Sequence, residues 1–197
     1  MSNEIERIIQ IIKSKDTIIT TQQITHAGLH RSILRQLVDK GEIYRFSRGL
    51  YVQSDSWEDE FYLLQKKYSK GIYSHNTALY LLGLSDRTPA RYDMTFPRGY
   101  NSLSLKKESI TITRVIKENY NLGIIQTVSP CGNILQVYDV ERTICDILRG
   151  SCNDIQIIVP ALRQYVTSKK RNIGKLLEYA DRLRIKSKIL RYLEVLL

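Results

Sequence analysis

Cationic and hydrogen-bonding side chains suited to contact a nucleic acid gather in one short stretch of this chain, residues 17–52. They are His30, Arg31, Ser32, Arg35, Arg45 and Arg48. The first four fall at the start of one predicted helix, and the last two lie in or beside a tight turn. An arginine can donate two hydrogen bonds to the O6 and N7 atoms of guanine, and a serine can bond either a base or a phosphate. The pattern predicts base contacts from the helix and contacts to phosphates or to the minor groove from the turn.

Two helices must position the first of these side chains. Apolar residues at helical spacing predict a short helix from Thr21 to about Ala27 and a second from His30 to Lys40. Gly28 supplies the turn between them, and Gly41 ends the second helix in the left-handed conformation that suits glycine. A further apolar stripe predicts a helix around residues 5–12.

A hairpin must position the other two arginines. Alternating residues predict strands at Ile43–Phe46 and Leu50–Val52, joined by a tight turn in which Gly49 takes a positive φ. Three helices followed by a hairpin form the order of a winged helix-turn-helix, which places its recognition helix in the major groove of DNA. The alternative is a small helical domain with an ordinary solvated cationic face, because helix-turn-helix patterns also occur by chance.

Charge adds a second candidate surface. The chain has 197 residues and a formal net charge of +10, which predicts a polyanionic partner. Residues 163–197, the basic tail, carry ten Lys or Arg against three Asp or Glu. Its candidate surface consists of Lys169, Lys170, Arg171, Lys175, Arg184, Lys188 and Arg191. We favour contact with DNA, but charge alone does not distinguish DNA from RNA or protein, and a charge run can be only a solvated helix face.

A polar segment, QSDSWEDE at residues 53–60, predicts a domain boundary near residue 55. The predicted domains are residues 1–55, which bind DNA, and residues 56–197. A capping box formed by Ser56 and Asp59 is expected to begin the second domain.

The second domain is predicted to mix strands and helices. A helix at Ser74–Leu82, capped by Ser74, precedes four strands with short loops, which favour an antiparallel arrangement. The strands are Tyr92–Phe96, Ile110–Ile116, Leu122–Val128 and Ile134–Val137. Helices capped or begun at Asp139, Asp154, Ile173 and Lys186 follow, with Pro160 either disturbing the second of them or starting it. The predicted fold class is α+β: a winged helix-turn-helix, then a mixed domain with a small antiparallel sheet and a C-terminal helical basic tail.

Two residue groups could suggest an enzyme. Ser74 and His75, with Asp86 or Asp93 downstream, could suggest a nucleophile and its base, but adjacent helical side chains diverge and a helix cap explains the serine. Asp139, Glu141 and Asp146 could hold a metal ion. A cap at Asp139 and an i,i+4 ion pair between Arg142 and Asp146 explain those acids better.

The cysteines also predict no metal. No C-x-x-C spacing occurs among Cys131, Cys145 and Cys152, and the chain has only three histidines. The sequence therefore offers no set of residues with the spacing of zinc ligands. Cys145 is expected in the core. We therefore expect no catalytic residues, no metal and no cofactor. Unpaired thiols, the absence of a signal peptide and the lack of any apolar run near about 18 residues predict a soluble cytoplasmic protein that does not bind membranes.

Four segments resemble one family. They are SHNTALYLLGLSDRTP at 74–89, FPRG at 96–99, YDVERTICDILR at 138–149 and LLEYADRLRIKSKILRYLEVLL at 176–197. Together with the N-terminal pattern they resemble the AbiEi antitoxins of abortive-infection, type IV toxin–antitoxin systems, which serve in phage resistance. The resemblance implies repression of the protein's own operon through repeats, inverted or direct, in double-stranded promoter DNA. It also implies neutralisation of a nucleotidyltransferase-like toxin by the second domain, without a stable complex between the two proteins.

The resemblance carries DNA contact over only to the six positions of the recognition helix and wing named above. Two other functions stay open. One is a transcriptional regulator, without a toxin, whose C-terminal domain senses a ligand or dimerises. The other is a DNA-processing enzyme that uses the acidic residues between 139 and 146.

Overall fold

The computed structural model describes residues 18–54, 59–101, 105, 108–150 and 154–196. The predicted helix at residues 5–12 and the predicted cap at Ser56 lie outside these ranges. The chain divides into two compact units, one ending at Lys67 and the other beginning at Tyr68.

The N-terminal unit is a small sheet with short helices. Strand β1 (Ile18–Thr20), helix α1 (Thr21–His26) and helix α2 (Ser32–Asp39) precede the hairpin of β2 (Ile43–Ser47) and β3 (Leu50–Gln53), and helix α3 (Glu60–Lys67) follows. The sheet order is β1-β3-β2, and both pairings are antiparallel. The two predicted helices and the predicted hairpin are confirmed. Strand β1 was not predicted, because three residues are too few to show an alternating pattern.

Helix α3 packs on the N-terminal unit. Its Leu63 forms one buried cluster with Ile18, Leu50 and Val52 from the sheet. Asp59 caps this helix, since its Oδ1 accepts the backbone N–H of Tyr62 at 3.1 Å. The unit therefore extends beyond the boundary predicted near residue 55, because an apolar helix face after the polar segment returns to the sheet. The assignment of functions to residues 1–55 and 56–197 stays a prediction.

The C-terminal unit combines a five-stranded sheet with a group of helices. Strand β4 (Ile72–Tyr73) and helix α4 (His75–Leu81) come first, then β5 (Tyr92–Pro97), β6 (Ile110–Val115), α5 (Lys117–Tyr120), β7 (Ile124–Val128) and β8 (Ile134–Tyr138). Helices α6 (Val140–Arg149), α7 (Ile155–Thr167), α8 (Ile173–Arg182) and α9 (Lys186–Leu196) complete the unit. The predicted α+β class, its strands and its C-terminal helices are confirmed.

The five-stranded sheet has the order β6-β5-β4-β8-β7 and is mixed. Pair β7–β8 is antiparallel, as predicted for strands with a short loop. Pair β5–β6 is parallel, so the antiparallel prediction is wrong there. Strand β4 was not predicted; it pairs antiparallel with β5 and parallel with β8. The connection from β5 to β6 spans residues 98–109, which is long enough for the crossover that a parallel pair requires.

The core of the C-terminal unit lies between helices. Helix α6 is buried along most of its length, and Ile144, Cys145 and Leu148 are fully inaccessible. Apolar side chains of α7, α8 and α9 pack against it, including Leu162, Leu176 and Ile189. Burial raises the pKa of the Cys145 thiol to about 12, which agrees with the predicted core role of this cysteine. Within the described ranges, no helix has the length and apolarity needed to cross a bilayer.

Pro160 lies inside helix α7, and Asp154 caps that helix by accepting the backbone N–H of Gln156 at 2.9 Å. The alternative in which Pro160 starts the helix is therefore wrong. An interior proline is tolerated here because the buried Ile158, Ala161 and Leu162 hold the helix against the core.

Candidate nucleic-acid interface

Helix α2 is amphipathic, and its two faces have opposite chemistry. Ile33, Leu34 and Leu37 are buried in the N-terminal core. Ser32 and Arg35 are exposed on the other side, and His30 and Arg31 are exposed just before the helix. The structure therefore brings the four predicted helix residues to one solvent-facing region.

The start of α2 is ordered by local hydrogen bonds. His30 Nδ1 lies 2.8 Å from Ser32 Oγ, and the same nitrogen accepts the backbone N–H of Ser32 at 3.3 Å. Arg31 Nε donates to Thr25 Oγ1 of α1 at 3.2 Å, which leaves its terminal nitrogens available. These bonds fix the side-chain directions before any ligand arrives, and such preorganisation lowers the entropy cost of binding.

Turn residues set the geometry of the two helices. Thr20 and Gln23 form a reciprocal capping box at the start of α1. Gly28 and Gly41 follow α1 and α2 with φ of 72° and 73°; the turn predicted at Gly28 and the left-handed conformation predicted at Gly41 are both present.

The hairpin of β2 and β3, which we call the wing, is hydrogen-bonded to the start of α1. The backbone N–H of Thr21 donates to Gly49 O at 3.0 Å, and Gly49 has a φ of 78°. A Cβ at Gly49 would lie 3.0 Å from Thr21 Oγ1, so glycine suits both the backbone and the space. Arg45 and Arg48 are exposed on this hairpin, and Arg45 Nε donates to Ser47 O at 3.4 Å beside a register shift in the β2–β3 ladder.

Gln36 is a residue that the sequence analysis missed. It is exposed on α2, one turn after Ser32 and next to Arg35. A glutamine can bond bidentately to adenine N6 and N7, so it belongs to the same chemistry as the arginines. The signal that could have found it is helical periodicity: positions four apart on a helix share a face.

The basic tail does not present its cations on one face. Lys175 is partly buried, and its Nζ contacts Asp139 Oδ2 at 2.9 Å and Glu141 Oε2 at 3.4 Å. Burial lowers the pKa of Lys175, but the hydrogen bond to Asp139 and the attraction of both carboxylates outweigh it and raise the pKa overall. Lys188 Nζ donates to Leu148 O at 2.6 Å, and Arg171 donates to Val166 O. Lys169 and Lys170 are exposed.

The remaining two tail cations lie in different surroundings. Arg191 lies beside Lys188 at a groove of about 610 Å³ lined mainly by Val159, Tyr192 and other apolar side chains. Arg184 lines a different cleft together with other arginines.

The three acidic residues considered as metal ligands are already paired with protein groups. Asp139 caps α6 by accepting the backbone N–H of Arg142 at 2.8 Å, and it also contacts Lys175. Glu141 accepts Tyr165 Oη at 3.2 Å. Arg142 and Asp146 form the predicted i,i+4 ion pair at 3.0 Å, fully buried on the arginine side. The predicted ion pair is confirmed, and the three carboxylates serve to connect α6 with its neighbours.

Ser74 and His75 behave differently from the prediction. Ser74 makes no side-chain cap bond to α4; its Oγ lies 3.0 Å from His75 Nδ1 and accepts Thr95 Oγ1 at 2.9 Å. The adjacent side chains meet because His75 has a φ of 47°, outside the helical conformation that would make them diverge. Asp93 of β5 supplies a carboxylate to this helix start, accepting the backbone N–H of Asn76 at 3.1 Å.

The Ser74–His75 contact does not form an exposed nucleophile. Ser74 is fully buried, so a substrate does not reach its hydroxyl. Burial raises the pKa of Asp93, while the nearby His75 and the backbone N–H of Asn76 oppose that rise. A cavity of about 220 Å³ lies beside His75 and Asp93, with Thr111 and Thr113 on its wall.

Comparison with known proteins gives one family and one fold. Residues 6–52 match the family model described as "Transcriptional regulator, AbiEi antitoxin". The match confirms the predicted resemblance to the AbiEi antitoxins over residues 6–52; the four motifs between residues 74 and 197 lie outside the matched range. No curated protein matches the chain. The structure is similar to the "Crystal structure of RV2827C protein from Mycobacterium tuberculosis", with a TM-score of 0.65, 16% identity, and coverage of 91% of this chain and 71% of that chain. At that identity the likeness is one of fold.

Proposed function

From the match of residues 6–52 to the AbiEi antitoxin regulators, we propose that this chain is the cytoplasmic autorepressor and antitoxin of a type IV toxin–antitoxin operon. The N-terminal unit binds repeats in the promoter, and the C-terminal unit neutralises a nucleotidyltransferase-like toxin. Systems of this family act in abortive infection, so the operon serves in phage resistance. The activity needs no metal, cofactor or chemical step.

The observation that supports DNA binding most is the exposed face of α2. Within the described residues, the side chains of Arg35 and Gln36 have no hydrogen-bond or ion-pair partner. Arg31 is held by one nitrogen only. The guanidinium of Arg35 can donate two hydrogen bonds to guanine, and the amide of the neighbouring Gln36 can donate one and accept one from adenine; each good bidentate contact contributes about 1–3 kcal/mol of discrimination.

The wing and part of the basic tail supply contacts to DNA that do not depend on the base sequence. Arg45 and Arg48 reach phosphates or the minor groove beside the recognition helix. In the tail, this role falls to Lys169 and Lys170, because Lys175 and Lys188 are bonded to groups of their own unit. A DNA-processing enzyme is not favoured, since Asp139, Glu141 and Asp146 already neutralise Lys175 and Arg142.

Replacing Arg35 with alanine should weaken binding to the native promoter by about 1–3 kcal/mol, because a base-reading guanidinium is lost. Binding to a scrambled duplex should change far less. Arg35→Lys should lose most of the same discrimination, since an ammonium group cannot make the bidentate contact. Gel shifts or fluorescence anisotropy at fixed salt concentration on both duplexes measure the effect.

Lys66→Ala is the matched control for that experiment. Lys66 is exposed on α3, so the change removes one positive charge from the same unit without touching the reading face of α2. It should weaken both duplexes equally. An Arg35→Ala protein that binds the promoter as the wild type does would remove α2 from the DNA interface.

Separating the units should separate the two activities. Each unit has its own buried cluster, so residues 1–67 and residues 68–197 are each expected to fold. We expect residues 68–197 to protect cells that express the toxin but not to repress a promoter reporter, and residues 1–67 to do the reverse. Circular dichroism of each purified fragment establishes that it is folded. Protection by residues 1–67 alone would contradict the assignment of neutralisation to the C-terminal unit.

A further inference from the structure

Five arginines surround one cleft in the C-terminal unit, and neither the sequence analysis nor the proposed function uses it. The cleft has a volume of about 550 Å³. The arginines come from four parts of the unit: the end of β5, strand β6, the end of α6, and the turn from α8 to α9. They are Arg98, Arg114, Arg149, Arg182 and Arg184. We call this the arginine cleft.

The arginine cleft lacks negative charge of its own. The other described residues that line it are Val115, Ile116, Asn119 and Leu183, and none of these carries a carboxylate. Within the described part of the chain, none of the five guanidinium groups forms an ion pair; Arg114 Nε donates only to Tyr100 O, at 3.2 Å. Elsewhere in this unit, cations do meet carboxylates, as Arg142 and Lys175 do. Five unneutralised like charges around one concavity repel each other, which destabilises the empty cleft.

The backbone of Arg184 gives a second, independent observation. Arg184 follows α8 with a φ of 60°, in a turn where Ile185 N donates to Ala180 O at 2.8 Å and Arg184 N to Asp181 O at 3.0 Å. This is the Schellman arrangement, in which the left-handed residue is usually glycine. Helices α1, α2 and α4 end in the same way, and there the residue is Gly28, Gly41 and Gly83, respectively. Of these four helix ends, the end of α8 is the one that lines the cleft. There the left-handed position holds a strained arginine and not a glycine.

The shape of the cleft selects among polyanions. Guanidinium groups match phosphate oxygens through paired hydrogen bonds. A volume of about 550 Å³ lies in the usual range for small-molecule pockets, whereas a DNA duplex is convex and is followed by an extended stripe of cations. Single-stranded nucleic acid is held by stacking on aromatic side chains, and no aromatic side chain is among the described residues that line this cleft. Val115, Leu183 and the 44% exposed Ile116 provide an apolar wall instead.

We propose that the arginine cleft binds a nucleoside triphosphate, with the phosphate chain among the arginines and the base against the wall formed by Val115, Ile116 and Leu183. The arginines recognise a chain of linked phosphate groups. Inorganic tripolyphosphate contains the same chain but has no base. The base contact distinguishes the two sources, because only the nucleotide gains from the apolar wall. This site is separate from the promoter-binding face of α2, and it does not depend on promoter binding.

Calorimetric titration of the full chain with ATP, GTP and inorganic tripolyphosphate at constant ionic strength tests the proposal. The double variant Arg114→Gln, Arg149→Gln should weaken ATP binding at least tenfold. The double variant Arg31→Gln, Arg35→Gln removes the same charge from α2 and should leave ATP binding unchanged. Ile116→Ala, which shortens the apolar wall without adding charge, should weaken ATP more than tripolyphosphate. If the two double variants lost ATP affinity equally, ATP would be attracted only by the net charge of the protein. That result would overturn the proposal.

Nucleic acid is the competing occupant. The same proteins are titrated with a fluorescent 20-nucleotide single strand and with a random duplex. If the Arg114 and Arg149 double variant lost nucleic-acid affinity while the wild type bound no ATP, the cleft would be a nucleic-acid surface and the triphosphate proposal would be wrong. Loss of ATP binding with unchanged nucleic-acid affinity supports it.

Arg184→Gly is a variant in which weaker ATP binding could not be explained by a failure to fold. Glycine suits the left-handed backbone at this position, so the variant should unfold at a higher temperature than the wild type when no ligand is present. Its melting temperature should then rise less on addition of ATP than that of the wild type. An Arg184→Gly protein with an undiminished ATP-induced shift would remove Arg184 from the site.

Discussion

Replacing Arg142 with methionine should lower the free energy of unfolding of the C-terminal unit by about 3–5 kcal/mol, the cost of leaving one member of a buried ion pair without its partner. Arg142 is fully inaccessible, and Asp146, its partner at 3.0 Å, is nearly so. Methionine fills similar space but leaves the Asp146 carboxylate buried without a cation.

The bonds of Arg142 explain why the loss extends beyond one ion pair. Nη1 donates to the carbonyl oxygens of Asn119 and Leu122, the latter at 3.2 Å, and the guanidinium carbon lies 4.3 Å from the centre of the Tyr138 ring. Arg142 therefore connects α6 to α5 and to the segment between α5 and β7. Because Asn119 lines the arginine cleft, the same side chain also fixes one wall of that site.

Urea denaturation followed by circular dichroism measures the effect of Arg142→Met. The double variant Arg142→Met, Asp146→Leu removes both charges and should recover much of the stability, since a buried pair can often be replaced by apolar side chains. Arg87→Ala is the exposed control: its pair with Asp154 is long at 3.8 Å and solvent-exposed, so about 0–1 kcal/mol is expected. An Arg142→Met protein as stable as the Arg87→Ala protein would mean that the buried pair contributes no more than a surface pair.

Replacing Gly123 with alanine should destabilise the C-terminal unit by about 2–4 kcal/mol, because a left-handed backbone and a steric overlap are combined. Gly123 has a φ of 79°, and a Cβ there would lie 2.9 Å from Asp139 Oδ2 and 3.0 Å from Arg142 Cβ. The overlap falls on the carboxylate that caps α6 and bonds Lys175 and Tyr179. Asp139 Oδ2 is held by Tyr179 and Lys175, and Arg142 is fully buried, so neither can move aside cheaply.

Gly83→Ala separates the two causes. Gly83 has a φ of 69°, close to that of Gly123, but no described atom lies within 4 Å of its added Cβ. It should therefore cost only the backbone strain, roughly 1–2 kcal/mol. Thermal and urea unfolding of both variants give the difference, which measures the overlap at the Asp139 cap. Equal losses for Gly83→Ala and Gly123→Ala would show that the approach of Gly123 to Asp139 has no cost.

Much of this protein could be read from its sequence where the determining contacts are local. The helices around Ile33 and Ile144 follow from the spacing of apolar residues, the hairpin from the turn at Gly49, and the ion pair of Arg142 with Asp146 from its i,i+4 spacing. The predicted DNA-binding side chains are exposed where the pattern placed them, although their contact with DNA stays a prediction. In each case the neighbours that decide the structure lie within a few residues along the chain.

Tertiary structure decided what depends on residues far apart in sequence. The parallel pairing of β5 with β6, the bond of Ser74 to Thr95, and the loss of Lys175 from the basic tail to Asp139 and Glu141 all join distant segments. The arginine cleft is the clearest case, because Arg98, Arg114, Arg149, Arg182 and Arg184 show no common spacing and meet only when four elements are packed. A sequence pattern reports which side of a helix or strand is apolar, but which charges then face each other is set by packing, since burial and distance determine the strength of an electrostatic interaction.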